Sequence, residues 1–198
     1  APATRSRYQP RALGAYRLTM RLYKYQPVTK YSLANLRAKR LWAARPAALN
    51  DPHEFRLSTS MAGGVEQLRD GNPHLAGLSD AAVLERARES LEAKLQSMGV
   101  VSFTEDPSSI PMWAHYADHH RGFCLEFNVE DLSLVHRVEY VDALPESDFS
   151  SIWRKDGTAQ VLWKKASAWR SEREWRLIRA EGGELIEYPG KLIRLIFG

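Results

Sequence analysis

Cysteine is nearly absent. Cys124 stands alone among 198 residues, which excludes an internal disulfide and any zinc site built on a cysteine cluster. Also lacking is an uncharged apolar run long enough to span a bilayer, in keeping with a mean hydropathy of −0.43. The opening APATRSRYQPRALGAY has no apolar core of the kind a secretory signal needs, so a cytoplasmic location is expected. Three motifs of large enzyme classes are missing as well: GxxxxGK[ST], GxGxxG and GxSxG. Without them there is no phosphate-cradling turn of the P-loop or Rossmann type and no hydrolase nucleophile elbow. No internal repeat or low-complexity tract is present.

The residues that are present describe a folded domain, with 44% hydrophobic and 26% charged side chains. Charge is unevenly placed. Residues 1–56 hold twelve Lys/Arg against Asp51 and Glu54, a balance of +10, and the remainder holds sixteen against twenty-two, a balance of −6. Dense positive charge at one end suits a polyanion such as a nucleic acid, through counterion release. A solvated basic tail is the competing reading. Residues 1–19 read as a basic N-terminal arm, and 20–198 as a single α+β domain.

Within that domain, residues 18–25 alternate as a strand ended by Pro27, and Thr29 or Ser32 can cap a short helix. A second strand is expected at 41–44, followed by the turn Asn50-Asp51-Pro52; residues 55–72 look loose. Ser79 or Asp80 caps the clearest helix, whose apolar side carries Leu84, Ala87, Leu91, Leu95 and Met98 and which Gly99 ends. Strands are expected at 100–103, 123–129 and 135–141, a short helix at 112–120, partial helix over 149–170, and closing strands at 175–178, 184–188 and 192–197. Many short strands and few helices point to a mainly antiparallel sheet.

Three clusters carry polar chemistry. In Met112-Trp113-Ala114-His115-Tyr116-Ala117-Asp118-His119-His120, helical spacing would stack His115 over His119 as metal ligands require, with Asp118 or His120 as a third. No HExxH accompanies them, so a polar helix with a buried Trp is favoured over a metal site; Trp113, His115 and Tyr116 could instead stack on a planar ligand. In Ser171-Glu172-Arg173-Glu174-Trp175-Arg176, strand geometry puts Glu172, Glu174 and Arg176 on one face. A carboxylate there could stabilise positive charge, although spacing alone favours a Glu174–Arg176 surface pair. Tyr23-Lys24-Tyr25 and Asn50-Asp51 form the third group, in which alternation lets only one side of the strand line a cleft. Cys124, beside Phe123 in an apolar strand, reads as core rather than nucleophile.

In order, LYKYQPVTKYSLANLRAKRLWAARPAALNDPHEF, VVSFTED, MWAHYADHHRGFCLEF, VEYVDALPE, SEREWRLI and LIRLIFG resemble the bacterial family catalogued as domain of unknown function 2971, from about Leu22 to Gly198. The NDP, MWxHYAxxHxG and EWR elements carry the likeness. That family's pattern continues past the IFG element, so a C-terminal truncation is expected. Its layout is in turn similar to the ADP-ribosyltransferase fold, a split and mainly antiparallel sheet with short flanking helices. The resemblance implies NAD as substrate, with no metal. It gives Glu174 the part of the catalytic glutamate, which bonds the ribose 2′-hydroxyl and stabilises the oxocarbenium ion; Tyr116 and His115 stand beside it. Lys24 or Tyr25 takes the place where those enzymes hold the ribose with His or Arg, Trp113 or Tyr116 stacks on nicotinamide, and Asn50, Asp51 and Arg176 complete the cofactor set. Ser58-Thr59-Ser60 and Glu172-x-Glu174 resemble the STS and ExE of arginine-modifying members. The implied activity is that of a toxin or phage-defence effector, in the cytoplasm or delivered into a target cell's cytoplasm. Its expected partners are a nucleic-acid acceptor recruited by the basic region and an antitoxin or immunity protein, with no membrane. Two alternatives stay open: a non-enzymatic nucleotide- or peptide-binding module, and a metal-dependent nuclease built on His115, His119 and Asp118.

Overall fold

A computed structural model describes residues 19–51, 54–55, 64–70, 72–143 and 161–198. The expectations for the N-terminal arm, for Ser58-Thr59-Ser60 and for the 149–160 part of the 149–170 stretch lie outside the described residues.

The first strand, β1 (Met20–Gln26), alternates as its sequence predicts, and Pro27 ends it. Thr29 then caps α1 (Lys30–Ala38): its hydroxyl accepts from the Ser32 N–H while the Thr29 N–H donates to the Ser32 hydroxyl, a closed capping box. Left-handed Lys39 stops that helix, its N–H reaching the Asn35 and Leu36 carbonyls. After β2 (Arg40–Ala43) the next described helix is α2 (Val65–Asp70), in a stretch whose sequence looked loose. Ser79 caps α3 (Asp80–Ser97), which buries Val83, Ala87, Leu91 and Leu95 at helical spacing. Met98 is its C-cap; Gly99, expected to end the helix, opens β3 (Gly99–Thr104) instead. A Cβ at Gly99 would stand 2.4 Å from the Glu181 carbonyl oxygen, so close backbone approach, not helix termination, explains the glycine.

Next come α4 (Ile110–Tyr116) and β4 (Phe123–Val129). The single strand expected at 135–141 is two, β5 (His136–Arg137) and β6 (Glu139–Val141), which join different sheets. The chain closes with β7 (Lys164–Ala166), a 3-10 helix (Ser167–Glu172), β8 (Glu174–Arg179), β9 (Glu184–Glu187) and β10 (Lys191–Phe197).

These elements make an α+β domain around a six-stranded antiparallel sheet ordered β10-β4-β1-β3-β8-β5, with β2-β9 and β6-β7 as two-stranded ribbons. Apolar alternation sends Leu22, Phe103, Phe127 and Leu177 to one face, where Leu41 and Ile186 of the β2-β9 ribbon cover them. Tyr23, Tyr25 and Cys124 go to the other face, beneath Trp113 of α4. The helix α3 covers a separate cluster with Phe55, Leu68 and Val100.

One irregularity of this sheet positions the site. The strand β1 pairs with β4 over seven residues and β3 pairs with β8 over six, yet β1 meets β3 in register at Tyr23↔Thr104 alone. Beyond that point β3 turns to β2, where Ala44 and Val100 exchange both backbone bonds at 3.0 and 2.8 Å. The sheet therefore parts between the C-terminal half of β1 and the N-terminal half of β3.

Candidate functional site

A cleft of about 290 Å³ opens in that gap. One wall is residues 23–26 of β1 with Pro27 and the other is Val100, Ser102 and Phe103 of β3; Tyr116, Asn50, Trp42 and a charged floor complete it. Because β1 is paired on one side only past Tyr23, alternate backbone groups of its last residues point away from β4 toward the cleft.

The floor is a buried charge network assembled from four places in the chain. Lys165 Nζ of β7 donates to Glu54 Oε1 at 2.9 Å, Glu172 Oε2 at 2.6 Å and Glu174 Oε2 at 3.0 Å. Arg176 of β8 grips Glu174 through Nε to Oε1 at 2.7 Å and Nη2 to Oε2 at 3.0 Å. Its Nη2 also reaches Glu54 Oε2 at 2.6 Å, and its Nη1 the Leu162 carbonyl at 2.9 Å. Such charges leave water only when each is paired. Local structure makes the meeting: the Asp51 carbonyl accepts from the Glu54 N–H in the turn after β2, and left-handed Arg173 swings the chain from the 3-10 helix into β8. Glu172 is thus not on the strand with Glu174, as alternation predicts, yet both carboxylates still reach Lys165. The surface pair that spacing favoured for Glu174 and Arg176 is wrong too, since these residues are 3% and 0% exposed.

Electrostatics follow from this packing. Burial alone would raise the Glu174 carboxyl, but the charge and hydrogen bonds of Arg176, with Lys165 and the Ser102 hydroxyl, bring it down to about 2. For Glu54 burial wins, and its carboxyl titrates above the usual range. Burial works against the Lys165 ammonium, yet Glu174, Glu54 and Glu172 together hold it above the ordinary lysine value. Tyr116 donates its hydroxyl to Glu172 Oε1 at 2.6 Å, and burial with that carboxylate raises its phenol. Lys24, half-buried in β1, has its ammonium lowered by burial against the pull of Glu174; among the described residues that ammonium makes no hydrogen bond or ion pair.

Of the residues singled out from sequence, Lys24, Tyr25, Asn50, Tyr116 and Glu174 come together at the cleft, with Arg176 beneath it. Asp51 is buried in the adjoining turn. Trp113 lies in the core, edge-on to Tyr25 and stacked on His120, its indole N–H donating to the Pro107 carbonyl at 3.0 Å. His115 is exposed and outside the cleft. The helix expected over 112–120 ends at Tyr116, because Asp118, His119 and His120 take left-handed backbone (φ 48, 55 and 64) in a turn that Arg121 closes onto Asp118. His115 and His119 therefore do not stack, and the described residues gather no group of three or more His, Cys, Asp or Glu able to hold a metal. Sequence reading missed Glu54 and Lys165; the one signal for them is a charge set against apolar neighbours, Glu54-Phe55 and Val161-Leu162-Trp163-Lys164-Lys165.

Residues 112–177 match a family model. That family is described as "Protein of unknown function (DUF2971)". The DUF2971 match spans α4 to most of β8, hence Tyr116, Lys165, Glu172, Glu174 and Arg176, about one third of the chain and less than the 22–198 its motifs suggested. No curated protein and no solved structure matches the chain. Among the described residues no helix is long and apolar enough to cross a membrane.

Cys124 sits outside the cleft wall, fully buried, and burial pushes its thiol up to about 12. At pH 8 the native protein is expected to take up iodoacetamide at least about 100-fold more slowly than the urea-unfolded chain, because the thiolate is the nucleophile. Mass spectrometry reads this directly; rapid native labelling would contradict the core role.

Proposed function

We propose that the cleft binds NAD and that the protein is an ADP-ribosyltransferase-like enzyme, acting as a toxin or phage-defence effector. The observation that carries this reading is a parted antiparallel sheet with carboxylates in the floor of the gap. Glu172 and Glu174 stand there beside the aromatic walls of Tyr23, Tyr25, Phe103 and Tyr116. Its volume lies at the small end of the range for ligand pockets, about 300–1,000 Å³, which fits a ribose and one flat ring with the rest of the dinucleotide along the open side.

The chemistry asks little of the protein. The C1′–N bond between ribose and nicotinamide breaks, its electron pair goes to the ring nitrogen, and nicotinamide leaves neutral. The positive charge so left on the ribose is stabilised by a carboxylate held ionised in a site that excludes water. The acceptor's nucleophilic atom then bonds C1′ and gives up its proton, so NAD and acceptor yield ADP-ribosyl acceptor, nicotinamide and a proton. Residues 1–56, at +10, supply the attraction for a nucleic-acid acceptor.

The test is nicotinamide release from NAD by the purified protein, alone and with RNA or DNA. Release is expected, faster with the nucleic acid that serves as acceptor; none under any condition would overturn the enzyme. One observation favours a second reading. The unpaired edge of β1 past Tyr23 could take an extended peptide by strand addition, and peptide binding without NAD turnover would support it.

A further inference from the structure

The two carboxylates of Glu172-x-Glu174 differ in how much bonding capacity they have left. An ionised carboxylate has about four acceptor positions. Glu174 has three of its own in use, two with Arg176 and one with Lys165. It is also 3% exposed and is bonded by the guanidinium two residues along its own strand. A single position is left to a ligand group at Glu174, and both of its oxygens are already held by charge-assisted bonds inside the protein.

Glu172 has filled half of its capacity. It accepts from Tyr116 at Oε1 and from Lys165 at Oε2, and it makes no other bond among the described residues. Both partners line the cleft with it. The third carboxylate, Glu54, has each oxygen held by a different cation of the floor, Oε1 by Lys165 and Oε2 by Arg176, which makes it a link between them.

We infer that Glu172, and not Glu174, is the carboxylate that meets the ligand, taking a hydroxyl or a carbon that becomes positively charged, while Glu174 serves as a fixed counter-ion that shapes the floor. This rests on the NAD reading of the same cleft. Tyr116 is then a positioning residue: its hydroxyl fixes the Glu172 carboxylate from α4, and Lys165 fixes it from β7.

The experiment compares the full chain with its Glu172→Gln, Glu172→Asp and Glu174→Gln variants. It measures steady-state nicotinamide release, NAD binding by calorimetry and melting temperature. A carboxylate that acts on charge arising in the reaction should show in kcat rather than KM. Glu172→Gln is expected to lower kcat about 100-fold, with KM within about threefold and melting within a few degrees. Glu172→Asp, which keeps the charge, is expected to recover about a tenth of the wild-type rate. Glu174→Gln is expected to lose melting temperature first, and activity in proportion to the folded fraction.

Glu172→Gln with near wild-type kcat overturns the assignment and leaves the NAD reading standing. So does a Glu174→Gln variant that stays fully folded and inactive. If both Glu172 variants fail to fold, Glu172 is a structural ion and the assignment is wrong. A wild-type protein that neither binds NAD nor releases nicotinamide overturns both readings.

Discussion

Replacing Arg176 by methionine is expected to destabilise the protein by about 3–5 kcal/mol, the range for removing one partner of a buried ion network. The side chain is wholly buried and holds Glu54 and Glu174 together, so its loss leaves three carboxylates, Glu54, Glu172 and Glu174, around a single Lys165. It also leaves the Leu162 carbonyl without its donor, and the face of Phe55 without the guanidinium 5.3 Å above it. For a chain of this length the melting temperature should fall by roughly 6–20 °C. Adding Glu174→Gln to Arg176→Met removes one stranded charge, so the double variant should lose less than the sum of the singles. Urea unfolding of the four proteins measures that coupling. Strict additivity, or an Arg176→Met variant as stable as wild type, would mean the network carries no stability.

Acid should remove the Glu174 contribution over a definite range. Its carboxyl titrates near 4.5 when unfolded and near 2 when folded, so the unfolded chain binds the proton more readily. The stabilisation is complete above about pH 4.5 and drains away as pH falls toward 2, a difference worth roughly 3 kcal/mol. Glu54 works in the opposite sense. Its folded carboxyl titrates above 4.5, so lowering pH toward 4.5 relieves the cost of burying its charge. Unfolding free energy should therefore hold or rise slightly on acidification to about pH 4.5 and then drop. Glu174→Gln should flatten the drop, and equal slopes for variant and wild type below pH 4.5 would contradict the pairing.

Much of the scaffold was legible because it obeys local rules. The Ala87, Leu91 and Leu95 spacing marks α3, although Val83 and not Leu84 completes its buried face; the Thr29/Ser32 pair marks the start of α1, and alternation marks β1, β4 and the closing strands. What stayed illegible is non-local. Glu54 and Arg176 are 122 positions apart, and nothing near either residue announces the other. Lys165 sits in a Trp- and Lys-rich stretch that reads as partly helical, whereas it belongs to a three-residue parallel strand fixed by pairing with β6. The left-handed run from Asp118 to His120 breaks the helix that residue spacing favours, and Asp and His tolerate that backbone without signalling it. For the site, the sequence pointed to Glu174, Tyr116 and Lys24; the bonds that divide labour between Glu172 and Glu174 exist only in the folded arrangement.

NAD binding in the gap between β1 and β3 is what we propose. Calorimetric titration of NAD into the wild type and into Ala48→Trp tests it most directly. Ala48 is exposed at the cleft wall, so an indole there should fill the cleft without disturbing the core. Saturable binding with a raised melting temperature is expected for the wild type, and neither for Ala48→Trp at an unchanged fold. Equal binding by both proteins, or none by the wild type, would contradict it.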